Sequence, residues 1–381
     1  MAFIKKNSLS LHRFFYGWAT VIINLAAPVY LYSQTENIYF AIVFLLAKYF
    51  FQALVVLAAK NILTKNPLFS IVMHTALLFL CNSLLLFLHF GWASVLFLAF
   101  AYAAAEVFYI VALNVIFAVR VQNSLAAVIQ TPFTLGVLLL GLIKYGVLPS
   151  LSFSVWTVLI IFLLHLVSIA PLILDGQIPM LNAKTIEQTI HKPYKNIKRD
   201  IFHSSVGLLN GVVLEMIPLY LIFSQNSVRV SLLIFAAAET ARLLCSKIGE
   251  LFYKKGLYNL AMALSCSLFF IFLILAAFLK NSTAVYFFCM CAAVAIPLNF
   301  VPKFTTYVKT IKEENMVHYN QARREVFISA AKMLAPLVYL IFRSFSSVLI
   351  LGAADAIVMF LSSYNFGITK TAPPAFSLKN K

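Results

Sequence analysis

Charge is scarce in this sequence, and acidic charge is scarcer still. Only 11% of the 381 residues are charged, with 12 Asp and Glu against 29 Lys and Arg. A soluble domain carries about a quarter charged residues, so the composition excludes a free globular protein. Cysteines number five, Cys81, Cys245, Cys266, Cys289 and Cys291, and all lie inside apolar runs. They lack the C-x2-C type of spacing that a metal site requires, and Cys289 and Cys291 fall on different faces of a helix, so all five read as core residues. A P-loop of the form G-x4-GK[ST] is missing, as is any soluble stretch long enough to hydrolyse a nucleotide. The formal charge of +17 is spread through short gaps between apolar runs. It does not form the clustered basic face of a nucleic-acid binder, and no nucleic-acid partner is expected.

What the sequence does have is apolar length. Hydrophobic residues make up 62% of the chain and the mean hydropathy is +0.94. A helix needs about 20 apolar residues to cross the hydrocarbon core, and breaks at charges, Pro, Gly and Asn clusters give about twelve such spans. Their limits are 14–32, 38–59, 68–88, 93–118, 124–147, 153–174, 202–223, 229–248, 257–279, 283–307, 321–342 and 346–365. The run from Phe14 to Tyr32 is too long for the apolar part of a cleavable signal and reads as a retained first span. The expected fold class is an all-α integral membrane protein with two pseudo-symmetric six-helix bundles. The bundles occupy 1–174 and 202–366, with a cytoplasmic middle loop at 175–201 and a cytoplasmic tail at 367–381.

Sidedness follows from Lys and Arg, which cytoplasmic loops retain. With the N-terminus in the cytoplasm, only Lys144, Arg229, Lys280 and Arg343 fall on the opposite side, and Lys48, Arg242 and Lys332 fall within spans. A missed or invented helix would scramble this alternation. Both termini are therefore expected in the cytoplasm of a multi-pass protein of the cell membrane. The halves also echo each other: FLLAKYFFQALVVLAAKNILTKN at 44–66 lies over FAAAETARLLCSKIGELFYKKGL at 235–257, with Phe44 over Phe235, Ala47 over Ala238 and Lys48 over Glu239. Two parallel repeats of this kind place a substrate site near the bilayer midplane, between the halves.

The second of these segments ends in GELFYKKGLY, residues 249–258. Glycines permit close helix approach and a tight turn, and Gly249, Lys254, Lys255 and Gly256 together form a candidate gating loop, the alternative being an ordinary positive-inside turn. The stretch resembles the loop motif G-x-x-x-D-R/K-x-G-R/K-R/K of the major facilitator superfamily, matching it at Gly249, Lys254 and Gly256 and departing from it at Tyr253, Leu257 and Tyr258. In the first half, KNILTKNPLF at 60–69 keeps only Lys65 of that pattern. The resemblance implies alternating access. It also implies that helices two, five, eight and eleven flank the contact between halves, and that helices one, four, seven and ten line the cavity.

Ionised groups inside a bilayer cost about 2.5–3.5 kcal/mol each on insertion scales, so each one present requires a partner, a cavity or a proton. Glu239 and Arg242 are neighbours on one helical face and are expected to pair, whether for function or only for insertion. Lys332 shares a stripe with Glu325 and Ser329 and, with Lys48, belongs to the same set of candidate charge pairs. Glu106 has Tyr102 and Tyr109 on its face and no cation within its own turn. A carboxylate so placed tends to keep its proton, which marks it as a proton carrier or a ligand for a polar substrate. Glu215, between Gly211 and Pro218, is similar. On the helices that the resemblance places around the cavity, Asn24, Asn114, Asn210 and Asn299 join Glu106, Glu215 and Tyr109 as binding candidates. His74, His89 and His165 are dispersed without ligand spacing, and no metal or cofactor is expected.

The expected function is secondary transport of a small organic solute, with protons as the candidate coupling ion, by a monomer in the lipid bilayer. Enzymatic activity is not expected: a membrane-embedded enzyme on lipid-linked substrates would cluster Asp, His or Glu at the interface, whereas here the acidic residues are scattered. A non-transporting receptor or assembly protein of the same architecture is the other rival, favoured by the eroded first-half motif and opposed by the buried carboxylates.

Overall fold

A computed structural model of the chain describes residues 34–65, 67–87, 91–120, 155–175, 197–225, 255–279, 285–289 and 317–364, with isolated positions within 8–32, 245–252 and 291–295. Every regular element among these residues is helical. In chain order they are α1 (Ile38–Lys65), α2 (Pro67–Phe87), α3 (Trp92–Arg120), α4 (Val155–Asp175), α5 (Ile197–Asn210), a π segment (Gly211–Met216), α6 (Ile217–Gln225), α7 (Tyr258–Phe278), α8 (Val317–Lys332), α9 (Leu334–Phe342) and α10 (Phe345–Tyr364). Seven stretches among the described residues are long and apolar enough to cross a membrane: 38–59, 67–87, 92–113, 199–221, 259–278, 322–342 and 345–363. They coincide with the second, third, fourth, seventh, ninth, eleventh and twelfth expected spans, and α4 lies on the sixth. The helix of the seventh span starts at Ile197, inside the stretch read as the middle loop.

The outward faces are apolar, as lipid contact demands. On α4, Trp156 (75% exposed), Leu163 and Ile173 point outward, while His165 and Ser168 on the opposite side are buried. Lipid tails are as apolar as leucine, so helices in a bilayer associate through close packing and polar contacts and gain nothing from apolar burial as such. Both devices are present. In the first half, α3 packs on α1 and α2, and α2 on α4; in the second, α5 packs on α8 and α10, and α10 on α7. The halves meet where α8 lies against α1 and α3, and α9 against α1.

The stretch 199–221 is the most enclosed of the seven, 71% buried against 39% to 61% for the others. Its approach to α8 depends on Gly207 and Gly211, four apart on one helical face. A Cβ added at Gly207 would stand 2.4 Å from the Ile328 carbonyl oxygen, and one at Gly211 would stand 3.3 Å from the Lys332 Cα. Any larger side chain would push the two backbones apart. Beyond Gly211 the helix widens into the π segment, which closes with the Ile217 N–H donating to the Val212 carbonyl. Such single π turns occur often at functional sites, and this one contains Glu215.

Candidate functional site

Lys48 and Gln52 occupy one face of α1, a turn apart, and both reach Glu106 on α3. The Lys48 Nζ lies 2.8 Å from Glu106 Oε1, and the Gln52 amide donates to Oε2. Lys48 and Gln52 are 5% and 3% exposed. The carboxylate thus has both oxygens engaged, one by a full charge. The expectation that Glu106 lacks a cation is therefore corrected: its partner comes from a neighbouring helix, which spacing along α3 cannot reveal.

Tyr49, the next residue on α1, is completely buried and turns toward the second half. Its ring has the Lys48 Nζ 5.2 Å from the centroid and the Lys332 Nζ of α8 at 4.9 Å. An aromatic face attracts cations at this range, so one ring holds two ammonium groups from opposite halves. Among the described residues the Tyr49 hydroxyl makes no hydrogen bond of good geometry, but it lies toward the Glu215 carboxylate, and Glu106 is also within electrostatic reach. Glu215 also acts on Lys48, and Lys332 on Glu106. Glu106 and Lys48 from the first half and Lys332 from the second therefore meet around Tyr49, with Glu215 within electrostatic reach.

Apolar side chains close this cluster off along the helices. Toward the end carrying Lys65 and Arg120, Val56 and Leu63 of α1, Val107 and Val111 of α3 and Ala322 of α8 form a buried aliphatic group. Toward the other end lie aromatic contacts: Tyr39 to Tyr339 at 6.5 Å, Tyr339 to Phe345 at 4.5 Å and Tyr220 to Phe345 at 4.5 Å.

A second polar group lies within the first half. The His12 Nδ1–H donates to the Ser168 carbonyl at 2.8 Å, which leaves Nε2 to accept from the Tyr109 hydroxyl at 3.0 Å. Tyr109 stacks on Tyr16 with centroids 3.6 Å apart. The His74 Nδ1–H donates to the Ala105 carbonyl at 2.6 Å, and its ring meets His165 edge-on at 5.3 Å. Among the described residues, neither His74 Nε2 nor either nitrogen of His165 has a hydrogen-bond partner. His74 and His165 are thus gathered, not dispersed, while His89 lies outside the described residues. Among the described residues no group of three or more His, Cys, Asp or Glu is placed to hold a metal ion.

The second half has its own buried charge. Arg323 grips Asp200 with two bonds, Nε to Oδ1 at 3.1 Å and Nη2 to Oδ2 at 2.7 Å. The pair lines a cavity of about 470 Å³ between α5, α8 and α10, with Ser204, Ser205 and Asp355 on its wall and Ile197, Ile201 and Val358 at its exposed rim. This cavity lies within one half, and Arg323 matches the charge of Asp200, one of its two carboxylates. The Tyr49 cluster, where charged groups from both halves of the chain meet, is the candidate functional site.

No protein-family model matches the sequence, and no curated protein matches it. Solved structures do. A bacterial homologue of the iron transporter ferroportin in an outward-facing state aligns with a TM-score of 0.68 at 14% identity, over 96% of this chain and 99% of that one. FucP, a Major Facilitator Superfamily transporter in the outward conformation, aligns with a TM-score of 0.61 at 15% identity, over 96% of this chain and 98% of that one. The chain has the major facilitator superfamily fold. The human organic anion transporter MFSD10 (TETRAN) shares it, with a TM-score of 0.66 at 11% identity over 94% and 99% of the two chains.

On this superfamily fold the sequence-derived candidates separate into groups. Glu106, Lys48 and Lys332 come together around Tyr49, with Glu215 within electrostatic reach. Tyr109 belongs instead to the His12 group. Glu325 pairs with adjacent Arg324 at 3.1 Å, while Lys332, two turns further along the same face of α8 and so about 10 Å away, reaches the Tyr49 ring instead. Asn210 flanks the π segment without capping it through its side chain. Asn24, Asn299, Glu239, Arg242, Lys254 and the side chain of Asn114 lie outside the described residues. At the superfamily-like loop, Gly249 is buried and Lys255 exposed. Gly256 has φ +71° and the Leu257 N–H reaches the Phe252 carbonyl at 2.9 Å, the bond of a Schellman helix end that favours glycine. Tyr49, Gln52 and His12 were missed by sequence reasoning. Only Gln52, a turn from Lys48 on the same helical face, carried a readable signal.

Proposed function

We propose that the protein is a secondary active transporter that carries a small organic solute by alternating access of two six-helix bundles, coupled to protons. The observation that carries this reading is the charge cluster around Tyr49, where Lys48 and Glu106 of the first half meet Lys332 of the second, with Glu215 within electrostatic reach. Buried charges are expensive unless paired, so a set whose members belong to two moving bodies must re-pair whenever those bodies shift. Lys48 is bonded to Glu106 in its own half and feels Glu215 in the other. A proton arriving on Glu106 removes the charge that holds Lys48 and frees it to turn toward Glu215, which changes how the halves attract one another. The aliphatic group on one side of the cluster and the aromatic contacts on the other serve as the two barriers.

The test is Glu106→Gln, purified and reconstituted in vesicles. Glutamine keeps a hydrogen-bond acceptor for Lys48 but cannot release a proton. The expected outcome is that accumulation driven by a proton gradient is lost while counterflow of the same solute continues. Gradient-driven uptake at the wild-type rate would remove proton coupling through Glu106.

A further inference from the structure

Lys48 and Glu106 satisfy each other, but the other two charges of the cluster do not. Among the described residues, neither Glu215 nor Lys332 has a group of opposite charge at ion-pair distance. The π segment and α8 carry them side by side, with Gly211, one turn before Glu215, pressed against the Lys332 backbone. The Lys332 ammonium rests over the Tyr49 ring at 4.9 Å, a weaker contact than a carboxylate would provide. Among the described residues the Tyr49 hydroxyl, on a residue with no exposed surface, lacks a hydrogen bond of good geometry. A cation and an anion able to bind a ligand therefore flank Tyr49 between the halves, the anion on the side of its hydroxyl.

Resting on the transport reading of this site, we propose that its substrate class is small zwitterions, molecules with an ammonium group for Glu215 and a carboxylate for Lys332 on one short frame. A purely anionic ligand would satisfy Lys332 and leave Glu215 as an uncompensated charge, and a purely cationic one would do the reverse. An unpaired partner in a desolvated site is penalised heavily, so a molecule carrying both charges is selected over either half of it. The Tyr49 hydroxyl, which lies toward Glu215, fixes the direction of that carboxylate. Glu106 stays with Lys48 and Gln52, so the ligand does not have to break that pair to bind.

The experiment uses the purified full chain and a matched panel: straight-chain amino acids from glycine to 6-aminohexanoate, with the carboxylic acid and the amine of each chain length. Thermal unfolding in detergent and competitive counterflow in vesicles are read for each compound. The expected result is that the zwitterions of one chain length stabilise the protein and exchange, and that the matched acid and amine bind at least about tenfold more weakly. Lys332→Gln and Glu215→Gln should each lower the zwitterion's affinity by about tenfold or more. The double exchange Lys332→Glu with Glu215→Lys should restore binding, because the ligand can turn end for end. A merely structural ion pair would not yield that restoration together with a ligand preference. The proposal is overturned if a matched acid or amine binds as tightly as the zwitterion, or if no zwitterion stabilises or exchanges. Wild-type protein alone decides this should the variants fail to fold. Binding of a zwitterion without counterflow would remove the transport reading and leave the site; counterflow of some other solute without zwitterion binding would do the opposite.

Discussion

In the first half of the molecule several buried polar side chains join the helices, whereas in the second half one such tie, Arg323 to Asp200, is accompanied by backbones brought together over glycine. Lys48, Gln52 and Glu106 tie α1 to α3, and His12 and His74 tie their neighbours to the carbonyls of Ser168 and Ala105. Across α5 and α8, by contrast, Gly207 and Gly211 meet the backbone of Ile328 and Lys332. The difference teaches where each half can yield. A network of side chains can re-pair by rotamer changes, but two helices in backbone contact can only slide or separate as bodies. The first half is thus suited to switching and the second to carrying Glu215 and Lys332 as a fixed pair.

The comparison is broken most severely at Lys48. Lys48→Gln leaves Glu106 as an uncompensated buried charge, for which a loss of about 3–5 kcal/mol is expected. The double variant Lys48→Gln with Glu106→Gln should recover most of that loss. Chemical unfolding in detergent checks both, and equal destabilisation in single and double variants would show that the pair contributes packing and not charge balance.

A smaller effect is expected on the other side of the comparison. Gly207→Ala sets a methyl group against the Ile328 carbonyl at 2.4 Å, and backbone cannot rotate away as a side chain can, so a loss of about 1–3 kcal/mol should follow. The Lys48–Glu106 pair should survive it. Cross-linking of cysteines placed on α5 and α8 would report the increased separation, and an unchanged melting temperature would count against backbone contact as the basis of that half.

The smallest effect sharpens the comparison from within the first half. His165 is buried with neither ring nitrogen bonded among the described residues, and a buried polar group without a partner is a liability. His165→Phe should therefore leave the melting temperature unchanged or raise it slightly. A clear loss of stability would mean that ordered water or a bound group satisfies this ring in the membrane.

Much of the helical layout could be read from apolar length, because a bilayer demands a fixed number of apolar residues whatever their neighbours are. Glu106 and Glu215 stood out for the same reason: an acidic residue in such a run has few harmless explanations. Their surroundings were not legible. Lys48 and Glu106 are 58 positions apart, and helical periodicity states which face a residue occupies but not which helix that face meets. Laying Lys48 over Glu239 compared equal depths in two repeats, whereas the bond it makes runs sideways within one. Tyr49 is one of 17 tyrosines, and nothing local distinguishes it; it matters because two lysines from distant parts of the chain arrive on either side of its ring.

The π segment has a consequence for how this protein can change through time. A π turn is an α-helix that has absorbed one extra residue, so Gly211–Met216 behaves as an insertion retained within a continuous rod. Removing Glu215 itself would return the helix to ordinary pitch and leave the flanking turns where they are, because the extra residue is absorbed within the segment. The apolar pattern that lets the helix enter a bilayer would hardly change. Descendants with that deletion would still insert while having lost the acidic residue of the segment. Point substitutions around the segment erode the site gradually; this one-codon deletion removes its carboxylate in one step.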